Sequence, residues 1–181
     1  RSGVPLFDRT RPYQQIPFQY SLHVQDADQI KHFEFLAETD GTDPRISFIK
    51  QLILDCGSEG DILVYNISFE QNIIEELIQA FPDYKVPLES IIRRLKDLMK
   101  PFQKGWYYTP EMKGSYSIKQ VLPALVPELS YKQLNINEGG TASTTFAAMA
   151  NGTFEGNYEQ TRKDLIEYCK MDTYAMVEIL R

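Results

Sequence analysis

The chain has 181 residues, 43% hydrophobic and 24% charged, with a formal net charge of −6. That is enough for one domain with a full core, and its composition is that of a globular protein rather than a disordered or disulfide-stapled one. No apolar run approaches the length of a membrane span, no leader peptide is visible at the start, and the two cysteines, Cys56 and Cys169, show no metal-ligand spacing. Reduced, buried thiols in a cytoplasmic protein are the expectation.

The first elements are aromatic-rich. IPFQYSLHV (16–24) and KHFEFLAE (31–38) alternate apolar and polar residues with Asp-Ala-Asp between them, which predicts an antiparallel hairpin. Asp43-Pro44 opens a helix whose buried face is expected to carry Ile46, Ile49, Leu52, Ile53 and Cys56, with Gly57 as its stop. DILVYN (61–66) is a short continuous apolar run, as in a strand buried on both faces. FEQNIIEELIQAF (69–81) is an amphipathic helix ended by Pro82. Pro87 starts another, which carries Leu88, Ile91, Ile92, Leu95 and Leu98. A loop-like tract runs to Ser117, which with Gln120 predicts a capping box for one helical turn before Pro123. Gly139-Gly140 is read as a turn; the lysine and hydroxyl of a P-loop are absent. The last forty residues are helical in two or three pieces, broken near Asn151-Gly152. This order argues an α/β or α+β fold, a mixed sheet covered by helices, in a single domain over residues 1–181.

Charge is unevenly spread. Between Ile91 and Lys119 stand seven basic residues (Arg93, Arg94, Lys96, Lys100, Lys104, Lys113 and Lys119) against two acids, so the stretch is +5 and the remainder −11. Trp106, Tyr107, Tyr108 and Tyr116 lie in the same tract. Lysines interleaved with aromatic rings suit a single strand of nucleic acid; packing of the rings onto the core under a long loop is the slightly stronger expectation. His23 and His32 lie on predicted strands, where a structural role is expected.

Two pairs carry candidate chemistry. Asn66 and Glu70 stand where the apolar strand gives way to a helix, at the strand end where open α/β sheets gather functional groups. Tyr168 and Asp172 are four apart on a helix and so share a face. By spacing alone these are a turn residue, a helix-start acid and an ordinary surface pair.

Taken in order, Asn-x-x-x-Glu after a buried strand, Ser-x-Lys (Ser117–Lys119) and Tyr-x-x-x-Asp near the end resemble the proofreading-type 3′–5′ exonucleases of the RNase H-like superfamily. There the first motif is Asp-x-Glu on the first strand, the second Asn-x-x-x-Asp, and the third Tyr-x-x-x-Asp or His-x-x-x-x-Asp. Glu167 occupies the histidine position, so this chain is similar to the tyrosine type. More narrowly, PLFDRTRPYQQIPFQYSLHV, VYNISFE, GSYSIKQVLPALVP and YCKMDTYAMVEIL resemble a bacterial family known as domain of unknown function 2779. Two departures stand out. Glu70 replaces the usual aspartate, and no Asp-x-Glu strand precedes Pro5.

The resemblance implies an RNase H-like mixed sheet without its first strand, in a chain expected to be part of a longer protein. It implies phosphodiester hydrolysis with magnesium or manganese, with Asp172 and Glu70 as metal ligands that converge. Tyr168 would orient the attacking water. Asn66, Trp106, Tyr107, Lys104, Lys113 and Lys119 would contact a nucleic-acid substrate, single-stranded for preference. The alternative is an inactive RNase H-like module that binds nucleic acid or another protein, or positions another nuclease domain in the same polypeptide.

Overall fold

The computed structural model describes residues 7, 10 and 14–181. Most of the segment PLFDRTRPY, which helps carry the family resemblance, lies outside the described residues.

Strands β1 (Gln19–Asp26) and β2 (Gln29–Leu36) form the expected hairpin, paired from Gln19 with Leu36 to Asp26 with Gln29. Its turn is Ala27-Asp28, and Ala27 takes a left-handed φ of 49°. Alternation then decides what each face meets. Tyr20 and Phe35 stack on one face and both set their rings edge-on to Phe48 of helix α1 (Arg45–Cys56). Ser21 and His23 turn the other way, and both hydrogen-bond the hydroxyl of Thr173 on the long helix α7 (Tyr158–Leu180), at 2.7 and 2.9 Å. The hairpin is therefore a middle layer with a helix on each side.

The predicted strand is β3 (Ile62–Val64), followed by α2 (Ile67–Ala80). It is not buried on both faces: Leu63 is 39% exposed. Its partner corrects the sequence reading. The helix begun near Pro87 is α3 (Lys85–Arg94), and it does not continue through Leu95 and Leu98. The chain extends at Leu95 to form β4 (Leu95–Asp97), parallel to β3 with Ile62 opposite Leu95, and the Leu98 N–H donates to the Val64 carbonyl. Instead of one mixed sheet, the described residues form two two-stranded sheets, β1–β2 antiparallel and β3–β4 parallel. The fold is mixed α/β, with helices predominating.

Smaller corrections follow from packing. Ile46 lies outside the buried face of α1, at 43% exposed, because Arg45, Phe48 and Ile49 turn inward instead. After the short helix α4 (Lys100–Gln103), α5 (Ile118–Leu125) starts at Ser117 without a side-chain cap and runs through Pro123, so no capping box forms. Gly139-Gly140 is the first turn of α6 (Gly139–Ala150) rather than a free turn. The break near Asn151-Gly152 separates α6 from α7 as expected.

Two apolar clusters result. One gathers Phe48, Ile49, Val64, Ile74, Leu77, Leu88, Ile91 and Leu95 around α1–α3 and the parallel pair. The other joins Leu122, Tyr131, Ile136, Phe146, Met149, Leu165 and Ala175 around α5–α7. Phe35 packs against both.

Candidate functional site

Helix α7 begins where the Asn157 side chain accepts from the Gln160 N–H at 2.9 Å. Leu165, Tyr168, Asp172 and Ala175 then recur at helical spacing. Asp172 is the one charged member of that inward stripe, so α7 carries a carboxylate against the second cluster. Burial raises its pKa, while the Tyr131 hydroxyl, the Lys119 ammonium and the Tyr168 hydroxyl pull it down. Lys119, on α5, stands over the rings of Tyr131 and Tyr168 at 5.5 and 5.4 Å from their centroids. The two rings meet edge-on at 6.3 Å. Burial first, then the Asp172 charge, holds both phenols above their ordinary value, so at neutral pH each is a neutral hydrogen-bond donor. Tyr131 is 6% exposed, and its hydroxyl, though within reach of Asp172, has no partner at full hydrogen-bonding distance.

Glu70 makes none of these contacts. The parallel pair delivers two segments at its carboxyl end, Asn66 leading into α2 from β3 and Asp97 closing β4. Glu70 is in the first turn of α2, and burial, with Asp97 adding repulsion, pushes its carboxyl up to about 7. Its Oε2 is buried without a partner. The electrostatic partners of Asp172 are Tyr131, Lys119 and Tyr168, that of Glu70 is Asp97, and Tyr65 connects the two sets, acting on Tyr131 and itself raised by burial and by Asp97. Among the described residues no set of three acidic, histidine or cysteine side chains comes together as a metal site. Asn66 is exposed, and its carbonyl, not its side chain, accepts from Phe69.

The basic tract divides. Arg94 is committed internally: its guanidinium donates at 2.7 Å to the carbonyls of Cys56, Gly57, Glu59 and Gly60. Lys119 donates to the Asn137 carbonyl. Lys104 lies 4.8 Å above the Trp106 ring. The expectation that the aromatics pack under a loop is overturned: Trp106 is 72% exposed, and Tyr107, Tyr108 and Tyr116 are exposed too. The tract is held down by Phe102, edge-on to Tyr107 and tilted against Tyr65, by the buried Met112 side chain, and by the Tyr65 hydroxyl, which donates to the Tyr116 carbonyl at 2.7 Å. Lys113 ends the following turn in a left-handed conformation.

The match that places the chain covers residues 1–117, which is more than half of it. The chain belongs to the family described as domain of unknown function (DUF2779). It is 29% identical to the uncharacterized protein UU173 of Ureaplasma parvum and 27% identical to an uncharacterized MG366 homolog of Mycoplasma pneumoniae, in each case over 98% of this chain. It spans 29% and 30% of the length of those two relatives. No solved structure matches. The DUF2779 match includes Asn66, Glu70, Lys104, Trp106, Tyr107 and Lys113 and stops before Lys119, Tyr131, Tyr168 and Asp172; the two relatives align across both groups.

Sequence reasoning missed Tyr131 and Asp97. Asp97 was hidden inside an apparently continuous helix. Tyr131 sits in a short 3₁₀ turn, Tyr131–Gln133, where no periodicity marks it.

Proposed function

We propose that this DUF2779 chain is part of a metal-dependent nuclease, of the RNase H-like 3′–5′ exonuclease kind, whose active site is completed by the rest of a longer polypeptide. The observation that carries the reading is the meeting of Tyr168 and Asp172 with Lys119 in a partly buried cluster, on a helix that covers one face of the hairpin. A surface pair would not bury a carboxylate against two phenols and a lysine. The two separate two-stranded sheets depart from the single mixed sheet of an RNase H-like fold, so the reading rests on this cluster and on the order of the motifs.

Magnesium or manganese fits the donor chemistry at one place. Glu70 has a buried oxygen without a partner and an acidic neighbour in Asp97, a repulsion that a divalent cation relieves. Asp172 is the second donor in this reading, with Lys119 beside it as a competing charge. Bound ions would activate water and stabilise the charge on the scissile phosphate. Tyr168 would orient that water as a hydroxyl, since its raised pKa keeps the phenol protonated at neutral pH and leaves no phenolate to act as the base. Asn66 would contact substrate from its exposed position at the head of α2.

The test is digestion of a 5′-labelled single-stranded oligonucleotide, DNA or RNA, by the longer polypeptide with manganese. Asp172→Asn and Glu70→Gln should each lower the rate by at least about a hundredfold, Tyr168→Phe by about 10²–10⁴. Digestion indifferent to Asp172→Asn would end the nuclease reading. The 181-residue chain alone is expected to give no measurable digestion. The second reading is an inactive module that binds nucleic acid or protein beside another nuclease domain; Glu70, where the 3′–5′ exonucleases usually carry aspartate, favours it.

A further inference from the structure

The tract between β4 and α5 carries apolar side chains that neither core absorbs. Of the ten large hydrophobic side chains exposed among the described residues, four stand here, Trp106, Tyr107, Tyr108 and Tyr116; the other six are scattered from Ile46 to Leu180. The tract is nevertheless an ordered chain of turns. The Trp106 N–H donates to the Pro101 carbonyl at 2.9 Å, that of Met112 to Thr109 at 3.0 Å and that of Ser115 to Met112 at 2.9 Å. Gly105 and Gly114 take left-handed φ values of 68° and 75°, which such turns need. Met112, 1% exposed, plugs the middle of the tract into the interior beside α5. Rings displayed from a backbone already fixed lose little freedom when something stacks on them.

Both ends of the tract are placed by the candidate site. It begins just after Asp97, whose charge acts on Glu70, and ends two residues before Lys119, which acts on Asp172. The Tyr65 hydroxyl donates to the Tyr116 carbonyl, and the Tyr65 ring lies against Phe102, so the tract is tied to the residue immediately before Asn66. Phe69, half exposed in the first turn of α2, belongs to the same strand end.

The chemistry selects the occupant. Residues 103–117 contain no Leu, Ile or Val, and Met112 is buried, so the exposed apolar surface is aromatic alone. Aliphatic side chains suit a hydrophobic partner or a bilayer; flat rings receive other flat rings. Lys100, Lys104 and Lys113 stand exposed in the tract against Glu111 alone, on a chain of net charge −6. Lys104 backs one side of the indole, and Trp106 at 72% exposed keeps the remainder open. Rings for bases and ammonium groups for phosphates complement a single strand. In a duplex the bases stack on one another and offer no free faces.

We infer that residues 100–117 form a stacking ledge for unpaired nucleic acid, in which Trp106 and Tyr108 take bases, Lys104 and Lys113 meet the flanking phosphates, and the strand lies between the segments that carry Glu70 and Lys119. The assignment rests on the nuclease reading only for the fate of the strand; binding needs neither metal nor digestion.

Trp106 is the chain's single tryptophan, so its fluorescence reports the ledge directly. The experiment titrates the full 181-residue chain, in EDTA, with oligothymidylate of about twelve nucleotides, within the length that one single-strand-binding groove accommodates. Saturable quenching is expected, and a duplex of equal length should bind at least about tenfold more weakly. By anisotropy of a labelled strand, Trp106→Ala should weaken binding about 5- to 150-fold, and Trp106→Phe should restore part of that loss because a ring remains. Melting temperatures should not move in either variant, since the side chain is exposed. Absence of saturable quenching, or affinity unchanged by Trp106→Ala, overturns the ledge. Equal quenching by polyglutamate or by the duplex shows that charge alone is read and overturns it too, as does a blue shift with phosphatidylglycerol vesicles but not with the strand. In the longer polypeptide, Trp106→Ala should raise KM for digestion and leave kcat unchanged. Digestion without quenching leaves the nuclease reading standing and the ledge not; quenching without digestion gives the reverse.

Discussion

Glu70 sits where two effects oppose each other. The first turn of α2 favours a negative charge through the helix dipole, by about 0.3–1 kcal/mol. Burial and Asp97 act against it and win, since the carboxyl is pushed up to about 7. A carboxyl raised in the folded state contributes stability that is complete below its unfolded pKa, near 4.3, and lost as pH rises through about 7. Glu70→Gln should therefore be more stable than wild type at pH 8, by on the order of 1–3 kcal/mol, and indistinguishable from it near pH 4. Urea unfolding at the two pH values checks this; a difference that does not depend on pH assigns the effect to shape rather than charge. His23 should behave with the opposite sign. Burial first, then His32 across the strand pair and Lys170 on α7, lowers it to about 4; Glu34, on the same face, attracts His32. Its contribution is present above the unfolded pKa near 6.5 and lost as pH falls toward 4, so His23→Gln should flatten the acid limb of the unfolding profile. At this scale the sequence was legible where one element carries both partners: Tyr168 and Asp172 share a face because a helix repeats every 3.6 residues. Tyr131 and Asp97 were not, because each acquires its meaning from a neighbour distant in the chain.

Helices α1 and α3 are joined by a single side chain more than by their own caps. Gly57 ends α1 with a φ of 57°, and the carbonyls that follow would otherwise face water. Arg94 reaches across from the last residue of α3 and satisfies four of them, from Cys56, Gly57, Glu59 and Gly60. A planar guanidinium can serve four acceptors at once, and an ammonium cannot match that geometry. Arg94→Ala should lower stability by about 2–4 kcal/mol, and Arg94→Lys should recover less than half of it, read by thermal unfolding. Full recovery by lysine would mean that charge, not the fork, matters there. The same junction explains why β4 was illegible. Leu88, Ile91, Ile92, Leu95 and Leu98 keep helical spacing, so local pattern favours one helix. Pairing of Leu95–Asp97 with β3, and the bond from Leu98 to Val64, form only when residues 33 and 34 positions apart meet, and that ladder overrides local spacing. The hairpin, by contrast, carries its alternation and its turn within eighteen consecutive residues, and its faces were predictable.

Over the whole molecule, charge and aromatic exposure coincide in one segment. The chain is −6 overall, while Ile91–Lys119 is +5, and that segment carries Trp106 at 72% exposed with Lys104 over its ring. An exposed indole flanked by lysines contributes nothing to a core, and on an acidic protein it is where a polyanion could approach. Arg94 is removed from the set of phosphate contacts by its internal bonds, which leaves Arg93, Lys104 and Lys113. If these three touch phosphates, replacing all of them with glutamine should weaken binding to any single strand, nearly independent of sequence. Each lost contact should flatten the slope of log affinity against log salt by roughly 0.7. Trp106→Ala should act differently. It should remove roughly 1–3 kcal/mol of binding if the indole stacks on a base, with little change in salt slope. Neither variant should alter the melting temperature, because the side chains replaced are exposed. Salt titrations of a fluorescent oligonucleotide against the longer polypeptide and both variants separate the two contributions. Unchanged affinity and slope in both would make the segment ordinary solvated surface and shift the weight to a protein-interaction role.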